Sequence, residues 1–213
     1  MRTQFAHLLL FLFCLPIFAQ NTTYPKGGYA TLQELLNRTP TDQYSVEVEQ
    51  RTEGKIKMNG GNDFQLNPLD KSVKKSFLRN ELLAYSDGVN LLINGYPYEI
   101  QVWYAKVEAE NAQYFVFRAG LPSNFKRYGL EPSQMQYMFG GIISGIGAAK
   151  RALIRVPYIL DKETDTMHLL SEENILSFIG DNASLAEQFA NEPEKGNVDT
   201  LMRYLTAWVN GNP

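Results

Sequence analysis

Tyr44, Val46 and Val48 alternate with Ser45, Glu47 and Glu49, the period of two that marks a half-buried strand with its acids toward water. The alternation returns between Glu81 and Ala119. Asp87-Gly88 separates Leu82-Leu83-Ala84-Tyr85 from Val89-Asn90-Leu91-Leu92-Ile93, and Asn94-Gly95 follows before Tyr98-Glu99-Ile100-Gln101-Val102-Trp103. Both dipeptides accept the positive φ angles of tight hairpin turns. The pattern therefore predicts hairpin tips at both, with adjacent antiparallel strands near 82–86, 89–93 and 98–107. A further turn near Asn111 leads into Tyr114-Phe115-Val116-Phe117. Along the third strand Ile100, Val102 and Tyr104 share one face and Trp103, Ala105 and Val107 the other, so its middle is covered on both sides.

Helical signals flank this region. Thr31-Leu32-Gln33-Glu34 is a capping box opening a helix over 32–37, which Pro40 stops. Asn59-Gly60-Gly61-Asn62 reads as a turn. Beyond a strand over 153–160 and a turn at 161–166, Ser171 caps a helix over 172–179 and Asp181 or Asn182 one over 183–191. Asn197 caps a third, in which Leu201, Leu205 and Trp208 repeat at helical spacing. The fold class is α+β: an antiparallel meander over about residues 44–119 plus a strand near 153–160, with helices concentrated at the C-terminus.

The uncharged, glycine-rich stretch Met138–Ala149 fits a buried helix or packed loop, with a membrane or partner contact as the alternative. Its apolar part is too short to cross a bilayer, and it lacks the Gly-Lys-Ser/Thr ending and the third glycine of nucleotide loops.

The N-terminus changes the picture of where the chain works. Arg2, an apolar run from Leu8 to Phe18 and Ala19 make up the three parts of a secretory signal. At about eleven residues the run is far short of the roughly twenty needed to span a membrane. Residues 1–19 are therefore expected to be a signal peptide and 20–213 a single domain without a transmembrane span. Cys14, the one cysteine, lies in that signal, behind Phe13 rather than the small residue lipidation requires. The remaining chain has no disulfide, thiol catalysis or thiolate metal site. The full chain carries 20 basic and 23 acidic residues. Loss of Arg2 makes the balance slightly more acidic, and no basic run points to nucleic acid.

Candidate chemistry is sparse. His168 is the histidine left after residue 19, and no nucleophile-elbow pattern accompanies it. Glu108 and Glu110 fall on one face of a strand end, as do Glu47 and Glu49 in their strand. Paired carboxylates suit glycoside hydrolysis, but such acids converge from opposite sides of the scissile bond, whereas these mark strand meeting water. Tyr96, Tyr98, Trp103 and Tyr104 gather near Asn94-Gly95, where aromatic faces could stack on sugars or simply form the meander's core. They are the weak binding candidates. No catalytic residue, metal site or cofactor is indicated. Asn21-Thr22-Thr23 and Asn182-Ala183-Ser184 match the N-glycosylation sequon, a pattern that arises often by chance.

Phe18-Ala19-Gln20, Gly27-Gly28-Tyr29 through Thr39-Pro40, Met58-Asn59-Gly60-Gly61-Asn62-Asp63 and Ala84-Tyr85-Ser86-Asp87-Gly88 resemble a family of exported Bacteroidetes proteins of unknown function. So do the glycine-rich stretch before Tyr158-Ile159-Leu160-Asp161 and the leucine-rich tail. The resemblance implies a periplasmic or surface location and assigns no site residue. In that setting Asp165-Thr166-Met167 and Asp199-Thr200-Leu201 resemble the phylum's O-glycosylation motif. Two function classes follow: a non-enzymatic envelope or surface protein binding a protein or glycan partner, and a hydrolase of glycans or peptides acting through carboxylates.

Overall fold

The computed structural model describes residues 24–129 and 147–211; the signal-like segment 1–19 and positions 138–146 of the glycine-rich stretch lie outside the described residues. The first half runs β1 (Gly27–Tyr29), α1 (Leu32–Leu36), β2 (Val46–Gln50), α2 (Glu53–Asn59), β3 (Phe64–Pro68), α3 (Lys75–Asn80), β4 (Ala84–Ser86) and β5 (Leu91–Asn94). Then come β6 (Tyr104–Glu110), β7 (Tyr114–Ala119), α4 (Ala148–Arg151), β8 (Val156–Asp161) and β9 (Thr166–Leu169), and finally α5 (Leu176–Ile179), α6 (Ala183–Ala190) and α7 (Val198–Val209). Helix α1 starts at the expected capping box. The Thr31 hydroxyl accepts from the Glu34 amide at 3.2 Å, and the Glu34 carboxylate accepts from the Thr31 amide at 3.1 Å. That carboxylate also accepts from the Ala30 amide and the Thr41 hydroxyl, which holds its pKa below the usual carboxylate value. Thr31→Ala is expected to destabilise the protein by about 1 kcal/mol, read as a lower urea midpoint with an unchanged m-value.

The strands form one nine-stranded antiparallel sheet in the order β1-β4-β5-β6-β7-β8-β9, with β2 and β3 attached as a side pair. Strand β6 is its hinge. Tyr104 pairs with Asn94 of β5 and with Phe64 of β3, and after an irregularity between Val107 and Ala109 the strand continues along β7. The alternation along each strand distributes side chains between the faces. Ile93 of β5, Phe115 and Phe117 of β7, and Tyr158 and Leu160 of β8 enter one buried cluster, covered by Tyr24, Tyr29 and Leu35 from the N-terminal segment. Val116 and Ile159 point the other way, into Leu185, Phe189, Leu201 and Leu205 of the C-terminal helices. Leu92, Trp103 and Tyr104 meet Leu66, Leu78 and Leu82 beneath α3.

Helices α6 and α7 lie where the helical spacing places them, but α5 covers only Leu176–Ile179 of the expected 172–179, and its N-cap is Ile175 rather than Ser171. Asn182, not Asp181, caps α6, accepting from the Leu185 amide at 3.1 Å, and Asn197 caps α7. Asp181 instead accepts from the Trp208 indole at 2.8 Å. Among the described residues no helix is long and apolar enough to cross a membrane.

Two turn expectations have different outcomes. Asp87-Gly88 does join β4 to β5: Ser86 pairs with Leu91, Gly88 has φ +94°, and the Asp87 carboxylate accepts from the Val89 and Asn90 amides. Asn94-Gly95 is not a hairpin tip. Gly95 has φ −75°, and a short 3-10 helix over Tyr96–Tyr98 follows, so the strand expected from 98 begins only at Tyr104. The cause is side-chain chemistry. Asn94 is buried, its amide donates to the carbonyls of Arg79 and Leu82 and its oxygen accepts from the Tyr96 amide at 3.1 Å, which ties the end of α3 to the start of the 3-10 helix instead of forming a hairpin tip. Consequently Ile100 and Tyr104 lie in different clusters, while Trp103 and Tyr104 share one.

Candidate functional site

The side of the sheet where β6 ends carries an open groove of about 740 Å³. Three chain turns wall it: Glu110–Gln113 between β6 and β7, Lys162 and Glu163 between β8 and β9, and Leu36 and Arg38 at the end of α1. The Asn111 carboxamide oxygen shapes the first, accepting from the Gln113 and Tyr114 amides at 2.9 and 2.8 Å. Asp161 shapes the second in the same way, accepting from the amides of Glu163 and Thr164. Such Asx turns fold locally, so the sheet only has to bring them side by side.

The floor is a polar relay inserted into the aromatic core. The Tyr24 hydroxyl donates to Glu110 Oε2 at 2.6 Å, and Lys162 Nζ lies 3.3 Å from the same oxygen. Lys162 also donates to the Asn111 carbonyl at 2.6 Å and sits 3.8 Å above the centroid of Phe115. Its side chain is 9 % exposed. Burial lowers the Lys162 pKa against the opposing pull of Glu110. Burial, reinforced by the hydrogen bond to Glu110, raises that of Tyr24 well above an ordinary phenol. By distance the ammonium and the carboxylate form an ion pair, and the phenol is a standing donor to the carboxylate. At the rim the Arg38 guanidinium lies 5.1 Å from the Tyr24 ring centroid.

The residues singled out from the sequence are placed elsewhere, apart from Glu110. Tyr98 is buried and donates to Asp165 at 2.8 Å; Tyr104 is buried and donates to the Leu78 carbonyl at 2.5 Å. Trp103 is buried beneath the cations of Lys75 and Arg79. Tyr96 is 48 % exposed, and it alone of the four offers much of its ring to solvent. Glu108 is bound at the surface by Arg118, and Glu49 by Lys55 and Asn67. Thr166 is exposed at the hairpin after Asp165, while Thr200 stands in the first turn of α7, half-buried. Among the described residues no group of three or more His, Cys, Asp or Glu side chains could hold a metal ion.

His168 projects from β9 toward the C-terminal helices, its ring 5.3 Å from that of Phe178. Burial lowers its pKa, with Asp161 opposing. A folded value below the unfolded one means that stability is complete above the unfolded pKa near 6.5 and is lost as pH falls through the folded value. His168→Gln is expected to flatten the dependence of the urea midpoint on pH between about 7 and 5. An unchanged slope would refute this.

Sequence reasoning missed Tyr24, Arg38 and Lys162 as parts of one site because they meet only in three dimensions; Tyr24 and Glu110 are 86 positions apart. One local signal was present. Helix α1 ends in Leu35-Leu36-Asn37-Arg38-Thr39, with an arginine where a C-terminal glycine is usual.

Among known proteins, one family model matches residues 27–212. No curated protein and no solved structure matches the chain.

Proposed function

The chain belongs to the family of that model, described as a Family of unknown function (DUF6563), and we propose that it is an exported binding protein of the cell envelope that holds a polar ligand in the groove between its three turns. The observation that carries this reading is the state of Glu110. The carboxylate at the groove floor is held by the Tyr24 hydroxyl and the Lys162 ammonium. A general acid or base must exchange a proton with substrate, and an acid locked into an ion pair is suited to shaping and charging a surface instead. The groove's volume lies within the range of small-molecule sites.

Export rests on the Arg2, Leu8–Phe18, Ala19 pattern and on the absence of cysteine after residue 19. The periplasm or cell surface of a Bacteroidetes cell is the setting that the resemblance supports. Residues 20–213 act as one domain in this reading.

The test is an amide-shift titration of protein beginning at residue 20 with a panel of neutral and acidic oligosaccharides. Shifts concentrated at 36–38, 110–113 and 162–163, abolished by Ala112→Trp at the groove wall, are expected. Shifts elsewhere, or none, would refute the groove. Chain shortening of any panel member, lost in Glu110→Gln, would move the protein to the hydrolase class.

A further inference from the structure

Arg38 stands in a backbone conformation that its residue type disfavours. The end of α1 is a Schellman motif: the Thr39 amide donates to the Glu34 carbonyl at 2.9 Å and the Arg38 amide to the Leu35 carbonyl at 3.0 Å. The residue between the helix and the exit must then adopt left-handed angles, and Arg38 has φ +53°. Glycine fills this position without steric penalty, whereas a side chain with a Cβ is strained there. Glu99, Trp103 and Asp165 share this region of backbone space, and strain of this kind gathers at functional sites; Arg38 is the one of the four that lines the groove.

The surroundings show what that side chain does. It lies over Tyr24 at the groove rim and, among the described residues, takes part in no ion pair; the groove's ion pair is made by Lys162. Two cations, Arg38 and Lys162, thus face one inward carboxylate, Glu110, whose charge Lys162 already offsets. Glu163 also lines the groove, on the exposed turn beyond Lys162. A guanidinium presents a planar fork that matches a carboxylate, and that of the exposed Arg38 rests over the Tyr24 ring.

The other walls narrow the ligand. Gln113 is exposed, and among the described residues its side-chain amide has no bonded partner, leaving a donor and an acceptor for hydroxyl groups. Leu36 is 37 % exposed and gives a small apolar surface for the face of a sugar ring. Apart from Tyr24 and Glu110, the last residue of β6 and paired with β7, the lining is made of turns and a helix end, which offer a peptide backbone no strand on which to form a ladder.

We propose that the groove takes a carboxylate-bearing saccharide, a uronic acid unit of an acidic glycan, and that Arg38 is the residue that recognises its carboxylate. This rests on the groove being the binding site. Arg38 at the end of α1 serves the ligand at the expense of the fold.

The test compares wild type, Arg38→Gly and Arg38→Lys with a trigalacturonate probe and an uncharged trisaccharide, using calorimetric binding, amide shifts and thermal melting. Arg38→Gly is expected to weaken trigalacturonate binding at least about tenfold while the melting temperature stays level or rises by about 2 °C. Arg38→Lys should lose several-fold, because charge remains but the fork does not. Groove shifts by both probes with equal affinity would leave the groove standing and overturn the acidic ligand. Sulfate competing as well as the saccharide would reduce the ligand to a bare anion and also overturn it. Undiminished binding by Arg38→Gly, or a melting temperature lowered by several degrees, would overturn the role given to Arg38. Absence of groove shifts with every probe would bring down the groove itself.

Discussion

Asn62→Ala is expected to lower the folding free energy by about 3 kcal/mol. Asn62 is 0 % exposed. Its side-chain amide donates to the carbonyls of Gln101 and Trp103 at 3.3 and 3.2 Å, and its oxygen accepts from the Gly120 amide at 2.8 Å. The Trp103 carbonyl would keep its bond from the Gly95 amide. The Gly120 amide and the Gln101 carbonyl would lose their Asn62 partner in a place water cannot readily reach, and an orphaned buried group costs about 1–3 kcal/mol. Loss of side-chain packing adds to this. Urea denaturation checks it; a loss under about 1 kcal/mol would show that the seam is hydrated and the accounting wrong.

Gly95→Ala is expected to cost about 2–3 kcal/mol through overpacking. A Cβ on Gly95 would stand 2.5 Å from the Gln101 carbonyl oxygen and 2.6 Å from Asn62 Nδ2. The first is backbone in a connection that carries the Tyr98 and Ile100 core contacts, so it cannot swing away as a surface side chain would. The second gives a sharper check. In Asn62→Ala one of the two obstacles is gone, so the double variant should lose less than the sum of the single losses, as coupled neighbours do. Strict additivity would mean that the clash with Gln101 acts alone.

Residue pattern reads this fold where many side chains on one element share an environment. Helix α7 buries Leu201, Met202, Leu205 and Val209, and its period is plain in the chain. Helices α2 and α3 each bury a single side chain, Ile56 and Leu78, so no period exists to be found and both were missed. Strand β1, Gly27-Gly28-Tyr29, carries no alternation or β-branched residue that would mark it as a strand. In the fold, however, Tyr44 and Leu82 pack so near Gly28 that its Cβ would stand 2.5 Å from the tyrosine ring. The two glycines let chain run close to chain, which sequence alone cannot distinguish from freedom. At Asn94-Gly95 the dipeptide was legible and its use was not, because the Asn94 amide is engaged by Arg79 and Leu82, well upstream. The groove follows the same logic: each turn is readable by itself, while their meeting depends on strand pairings between distant segments.

Strand β6 contributes a residue to every buried cluster: Ala105 to the first, Ala109 to the second, Tyr104 to the third. This has a consequence for how the chain acquires its structure as it emerges from a ribosome. Until about residue 110 has appeared, β3 and β5 each lack the neighbour that completes them, and no cluster can close. Roughly the first half of the chain must remain uncommitted, since non-local pairings reward the chain only after the intervening loop has been ordered. A nascent form of this kind stays thread-like until β6 arrives and lets the third cluster close, while the first still waits for β7 to β9 and the second for the C-terminal helices.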